Sequence, residues 1–137
     1  VSAGALHPVK AVIISRDGGT FVYDDEADTF FSIEPRNAEG VGAFHEKCAT
    51  VLPLATGHVI ALMADVGHVS TVYSNPESLV WRDSGAVLQT LALVSEAFDL
   101  GFCPLGILGQ ELADALLPME HQYLGVGVAV IGRRSSG

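Results

Sequence analysis

The sequence predicts an α+β protein with a mainly antiparallel central sheet flanked by helices, one of them long and buried. Three observations carry this expectation. Short apolar runs separated by turn residues recur early in the chain, as the strands of a meander do. The stretch Arg82 to Leu100 keeps helical spacing for nineteen residues, which is long for a globular domain. The inferred order is three strands, a helix, a strand, two helices and a strand, which mixes the two element types without the strict alternation of a parallel sheet.

Val9 to Ile14 reads as the first strand. Arg16-Asp17-Gly18-Gly19 follows as a hairpin turn, its glycines able to take positive φ, and Thr20 to Tyr23 returns antiparallel. Asp24-Asp25-Glu26-Ala27-Asp28 is an acidic connection to a third strand, Phe30 to Ile33. Pro35 breaks the pattern. Ala38 to Val51 is then an amphipathic helix, with Val41, Phe44, Cys48 and Val51 on one face, Glu39, Glu46 and Lys47 on another, and Pro53 ending it. His58 to Asp65 is a near-continuous apolar run, short enough for a central strand. Gly67 to Leu79 is ambiguous, with a turn at Asn75-Pro76.

The long helix is expected to have Ser84 as its N-cap, whose hydroxyl would satisfy an orphan amide. Val87, Leu91, Val94 and Phe98 recur along it, and Leu88, Ala92, Leu93, Ala97 and Leu100 widen the apolar face. Only a narrow stripe through Arg82, Gln89 and Glu96 stays polar. A helix apolar nearly all round is buried inside its protein or between subunits. Gly101 supplies a stop, and Cys103-Pro104-Leu105-Gly106 reads as a loop at the tip. Gln110 to Leu116 is a short helix stopped by Pro118. Gln122 to Ile131 is a final buried strand whose glycines suggest close backbone approach.

A chain of 137 residues is expected to form a single domain, 1–137. With 49% apolar and only 17% charged residues, some apolar surface is expected to face a partner subunit or a ligand. The net charge of −9 argues against non-specific nucleic-acid binding and against docking on an anionic membrane. Two cysteines, Cys48 and Cys103, make no disulfide framework, so a cytoplasmic location is expected. Neither a spanning segment of roughly 20 apolar residues nor a secretory signal is legible.

Several constellations suggest chemistry and then fall short of it. His45 and Cys48 have the spacing of half a zinc site, without the second pair such a site needs, so no metal is expected. Asp65, His68 and Ser70 lack the Gly-x-Ser-x-Gly elbow of a hydrolase. The Gly101, Gly106 and Gly109 pattern lacks the Lys-Ser/Thr of a phosphate loop and follows a helix, not a strand. What remains is a small-residue run whose amides and carbonyls are able to touch a flat ligand. Cys103 is followed by Pro104, with no cation nearby in sequence to lower its pKa. Ser2-Ala3-Gly4-Ala5 is a backbone able to pass very near a ligand. Arg133 and Arg134 follow the last strand, either as a phosphate ligand or as a solvated end.

Together these pieces resemble the nitroreductase superfamily of flavoproteins, most closely its SagB-type thiazole/oxazole (azoline) dehydrogenase branch. Ser2-Ala3-Gly4-Ala5-Leu6-His7-Pro8 is similar to that branch's S-A-G-A-L-Y-P signature. Arg82-Asp83-Ser84-Gly85-Ala86-Val87-Leu88-Gln89 is similar to its R-D-A-G-H-x-x-Q helix start, and Leu100-Gly101-Phe102-Cys103-Pro104-Leu105-Gly106 to its L-G-L-G-x-C-P-L-G loop. The resemblance implies an FMN-binding homodimer with the flavin at the subunit interface. It implies that Ser2, Ala3 and Gly4 lie against the flavin or its ribityl chain, and that Cys103, Pro104, Leu105 and Gly106 line the isoalloxazine ring. It gives the phosphate to Arg133 or Arg134, an arginine fork suiting that group.

Two departures from the pattern accompany the likeness. The family's N-terminal helices and Arg-rich segment precede the point where this sequence opens, so the domain is expected to be N-terminally incomplete relative to the family. The branch's Lys-Tyr pair has Val72-Tyr73 as its counterpart, which leaves Tyr73, with His68 nearby, as the acid or base. The expected function is an FMN-dependent oxidoreductase, a dehydrogenase acting in peptide or natural-product maturation. The alternatives are a flavin-free scaffold or partner-binding subunit of the same fold, and a small-molecule reductase fed by a nicotinamide cofactor.

Overall fold

The computed structural model describes residues 3–53, 57–118 and 122–134. After a single 3-10 turn at Ala3–Ala5, the strands are β1 (Val9–Ile14), β2 (Thr20–Asp24), β3 (Thr29–Ser32), β4 (Gly57–Asp65), β5 (Leu100–Leu105) and β6 (Tyr123–Arg133). The helices are α1 (Ala38–Val51), α2 (Val66–Ser70), α3 (Pro76–Ala97) and α4 (Gln110–Leu116). The strands form one antiparallel sheet in the order β3-β2-β1-β4-β6-β5.

The apolar run in β4 is buried on both sides because both faces of the sheet are covered. Val59, Ala61 and Met63 join Val12, Ile14, Val128 and Val130 beneath Phe44 and Cys48 of α1 and Leu112 and Leu116 of α4. Their neighbours Ile60, Leu62 and Ala64 point the other way, as strand alternation requires, and pack with Val126 against Val69 and Val80 of α2 and α3. The register shifts between Leu62 and Met63 opposite Gly125–Gly127, a bulge that adds twist at the middle of the sheet. Gly125 is needed there for space. A β-carbon on it would come within 2.5 Å of the Gly109 and Gln110 backbone, where the start of α4 crosses β6.

The long helix differs from expectation at both ends. It begins at Pro76, whose missing amide and fixed φ suit the first helical position. Ser84 is therefore not an N-cap. It is buried mid-helix, and its hydroxyl donates back to the Trp81 carbonyl at 2.9 Å. The helix ends at Ala97, with Asp99 taking the left-handed conformation at φ 56° in the role expected of Gly101. At about 1.5 Å per residue, α3 runs roughly 33 Å. Along it only Val80, Ser84 and Ser95 are fully buried. Its outer side is left bare by this chain, with Leu93 62% and Phe98 73% exposed.

The stretch read as a loop, Cys103 to Leu105, is the second half of β5, paired with β6 from Leu100↔Arg133 to Leu105↔Val128. Pro104, which lacks an amide to donate, is tolerated because β5 is an edge strand. Two smaller corrections follow the same logic. Val51, assigned to the apolar face of α1, is exposed at the helix end, and Arg133 is the last residue of β6 instead of following it. The ambiguous segment, Gly67 to Leu79, holds most of α2 and the first turn of α3; the first amides of α2 are capped by Asp65, with Oδ1 accepting from His68 N at 3.0 Å. Among the described residues no helix is long and apolar enough to cross a membrane.

Candidate functional site

The predicted site residues fall at the two ends of the sheet and along its free edge. At one end the Pro8 carbonyl accepts the Asp65 amide and the Gln122 carbonyl accepts the Val66 amide. Here α2 turns the chain through Tyr73, whose amide donates to Val69 O at 3.0 Å. Tyr73 is half-buried and its ring lies over Gly4, so close that a β-carbon on Gly4 would stand 2.7 Å from the phenolic oxygen. Gly4 has φ 64°, a conformation that costs an L-residue about 1–2 kcal/mol. The Gly4 backbone and the Tyr73 hydroxyl, predicted separately from distant stretches, are thus neighbours. His68 lies on α2 in the same region and is exposed. Ala3 belongs to the same 3-10 turn, and Ser2 lies outside the described residues.

At the other end Gly57 pairs with Gly132, so Arg133 sits there. The nine residues of β4 separate the ends by about 26 Å at roughly 3.3 Å per step. Arg134 is engaged within the chain. Its guanidinium is ion-paired with Glu96 and lies 3.6 Å from Asp99, and its Nε donates to Leu100 O at 3.4 Å. Arg133 instead lines a cleft with Ser15, Arg16, Asp17 and His58.

The expected ring-lining residues lie along the free edge of the sheet. Cys103 and Pro104 are exposed and Leu105 is half-buried against the α1–α4 core. Alternation places Cys103 and Leu105 on that face and Pro104 on the α3 face, so the four residues present an edge, not one wall. A β-carbon on Gly106 would meet nothing within 4 Å, leaving its backbone open to approach. An edge strand with unpaired backbone groups, a small-residue end and exposed apolar side chains beside it fit the polar rim and flat faces of an isoalloxazine ring.

The other constellations have structural roles. Cys48 is wholly buried, and burial pushes its thiol pKa up. Asp65 and Ser70 serve α2, the latter donating to Gly67 O at 2.7 Å. Among the described residues no three His, Cys, Asp or Glu side chains come together as a metal cage. One feature that spacing missed is Asp25, ion-paired with Lys10 at 2.7 Å beside a groove between β1 and α3. Only the antiparallel pairing of β1 with β2 puts those two side chains together.

Neither a protein-family profile nor a curated protein sequence matches the chain. Solved structures do. A candidate nitroreductase from Anabaena variabilis superposes with a TM-score of 0.78 at 18% identity, covering 96% of this chain and 28% of that one. The fold is nitroreductase-like. A second match, the E. coli microcin synthetase McbBCD complex with truncated pro-MccB17 bound, gives a TM-score of 0.76 at 11% identity, covering 99% of this chain and 55% of that one. The nitroreductase-like chain therefore spans about a quarter to a half of the length of these structures.

Proposed function

We propose that this chain works as an FMN-dependent oxidoreductase whose flavin lies between two copies. The carrying observation is the continuity of β5 with the bare side of α3. The two elements pack together, and the C-terminal part of α3 with its cap residue exposes Leu93, Val94 and Phe98. Burying three such side chains would contribute up to about 1.5–3 kcal/mol each, toward the cost of seating a second copy there. The division of the predicted residues between the sheet's ends supports the same reading, since one ligand touching both sets requires two chains.

In this arrangement Cys103, Pro104, Leu105 and Gly106 line the ring, while Ser2, Ala3 and Gly4 approach it from the partner copy. Of the two arginines, Arg134 is assigned to the phosphate, because its guanidinium already lies against Leu100 of β5 and would exchange Glu96 for the anion. The flavin supplies the electron chemistry. This chain's part is to exclude water with the α3 side chains and to hold a proton at the Tyr73 hydroxyl, with His68 nearby. A dehydrogenase step on a peptide precursor is the proposed reaction class. It draws on the likeness of the azoline-dehydrogenase motifs and on the peptide bound by the microcin synthetase complex.

Titration of the purified protein with FMN tests the reading. Binding is expected to quench free-flavin fluorescence and leave the protein yellow after gel filtration, and Gly106→Val should weaken retention without loss of fold. A colourless, fully folded protein that leaves FMN in solution would instead make it a scaffold subunit. Phe98→Ser with Leu93→Ser should shift sedimentation toward the monomer. An unchanged sedimentation profile would remove α3 from the interface.

A further inference from the structure

We infer that the corner of the sheet where β1, β2 and β3 meet the ends of β4 and β6 binds a small amphiphilic anion, an acyl or aryl carboxylate. The inference is independent of the flavin reading. The observation behind it is that two cavities of opposite character share a wall. One, of about 390 Å³, is lined almost wholly by apolar groups: Ile13, Phe21, Phe30 and Ile131, with Ser15 and His58 at its margin. The other, of about 570 Å³, adjoins it through the same Ser15 and His58 and carries Arg16, Asp17 and Arg133.

Strand register explains why the two abut. Ile13 pairs with Phe21, and His58 with Ile131, so these side chains share the α3 face. The helix packs chiefly on β5 and β6. Phe30 is paired with Tyr23, their rings 5.2 Å apart and tilted by 55°, which holds an aromatic edge at the border of the slot. Phe30 itself is half exposed. A greasy surface with a defined polar terminus binds ligands that have the same two parts.

The sign of the charge is what commits the site to an anion. The chain carries −9 overall, yet this rim brings two guanidiniums and an imidazole around one carboxylate. Asp17 accepts from the Ser15 hydroxyl, which with the neighbouring backbone holds its pKa below the ordinary value, so it stays ionised and offsets one of the two guanidiniums, leaving the rim net positive. His58 Nδ1 accepts the Arg16 amide at 3.2 Å, so in the neutral ring the proton is on Nε2 and available to donate. Arg133 makes no ion pair among the described residues. A carboxylate seated there gains charge-assisted bonds from Arg133 and His58 while its apolar body covers Phe21 and Phe30.

The probe set is decanoate, decanol and decyltrimethylammonium, each below its micellar concentration, titrated into isotopically labelled protein with and without saturating FMN. Decanoate is expected to bind about tenfold or more tighter than the other two, shifting the amide signals of Ile13, Phe21, Phe30 and His58. Arg133→Gln should reduce decanoate to the level of decanol, whereas Phe30→Ser should weaken both alike. Equal binding of the three amphiphiles, shifts confined elsewhere, or indifference to Arg133→Gln would overturn the inference. So would displacement of decanoate by FMN, which would give the corner to the flavin, or burial of Phe30 on self-association, which would give it to a second copy.

Discussion

The phenolic oxygen of Tyr73 occupies the space that a side chain on Gly4 would need, at 2.7 Å from the ideal β-carbon position. This contact joins the N-terminal turn to the segment between α2 and α3. It also ties a backbone conformation to the presence of one hydroxyl. Gly4→Ala is expected to destabilise the protein by about 1–3 kcal/mol, from the positive φ and the overlap together. In the Tyr73→Phe background the overlap part should shrink, leaving mostly the backbone cost. A double-mutant cycle by urea denaturation measures the difference, and strict additivity would show that the two residues do not press on each other.

Gly125→Ala should be the more damaging substitution. Its β-carbon would meet main-chain atoms of Gly109 and Gln110 at 2.5 Å, which cannot rotate away as a side chain can. The expected loss is about 3 kcal/mol or more, read as a lowered denaturation midpoint. A loss under about 1 kcal/mol would mean that α4 slides freely over β6.

The two cysteines should separate cleanly toward a thiol reagent. Cys103 is exposed on the edge strand, whereas Cys48 is buried with its pKa raised by burial, and the thiolate is the reacting form. Native protein is expected to titrate one thiol quickly and the second only on unfolding. If FMN sits at β5, it should slow the labelling of Cys103 and leave Cys48 unaffected.

A modest acid dependence is expected from Lys47 and Glu111. The ammonium beside Glu111 holds its carboxyl below the ordinary 4.5. A carboxyl lowered in the folded state stabilises above its unfolded pKa, and the contribution disappears as pH falls through the folded value. Both side chains are about half exposed, so the effect should be no more than about 0.5 kcal/mol. Lys47→Gln should be slightly less stable than the parent at pH 7 and equal to it in strong acid. A gap that widens in acid would reverse the assignment.

What the sequence made legible was set by how local the cause is. The spans Ala38–Val51 and Gln110–Leu116 were readable to the residue, because the amphipathic period of the first and the proline just beyond each are local signals. The start of α3 was hidden because Asn75-Pro76 signals a turn and a helix start with the same residues. The strand β5 was hidden more deeply. Leu100 continues the apolar period of the helix, Gly101 and Pro104 read as loop residues, and only pairing with β6 makes the segment extended. The site shows the same division. Motif likeness singled out Gly4, Tyr73 and Cys103–Gly106 as candidates, but that β5 runs beside Arg133 while Gly4 and Tyr73 lie at the opposite end of the sheet follows from register, which no spacing along the chain encodes.

The strand order places β6, the latest in sequence of the six described strands, in the interior of the sheet. Because β6 lies between β4 and β5, a growing polypeptide has the β1–β4 half of its sheet and the α3–β5 rod synthesised with nothing to join them. Both must wait, with unmated hydrogen-bonding edges, for residues 123–133 to leave the ribosome. Non-local pairing of this kind slows folding. The sheet is therefore expected to form late and cooperatively, with β6 as the strand that joins its two parts.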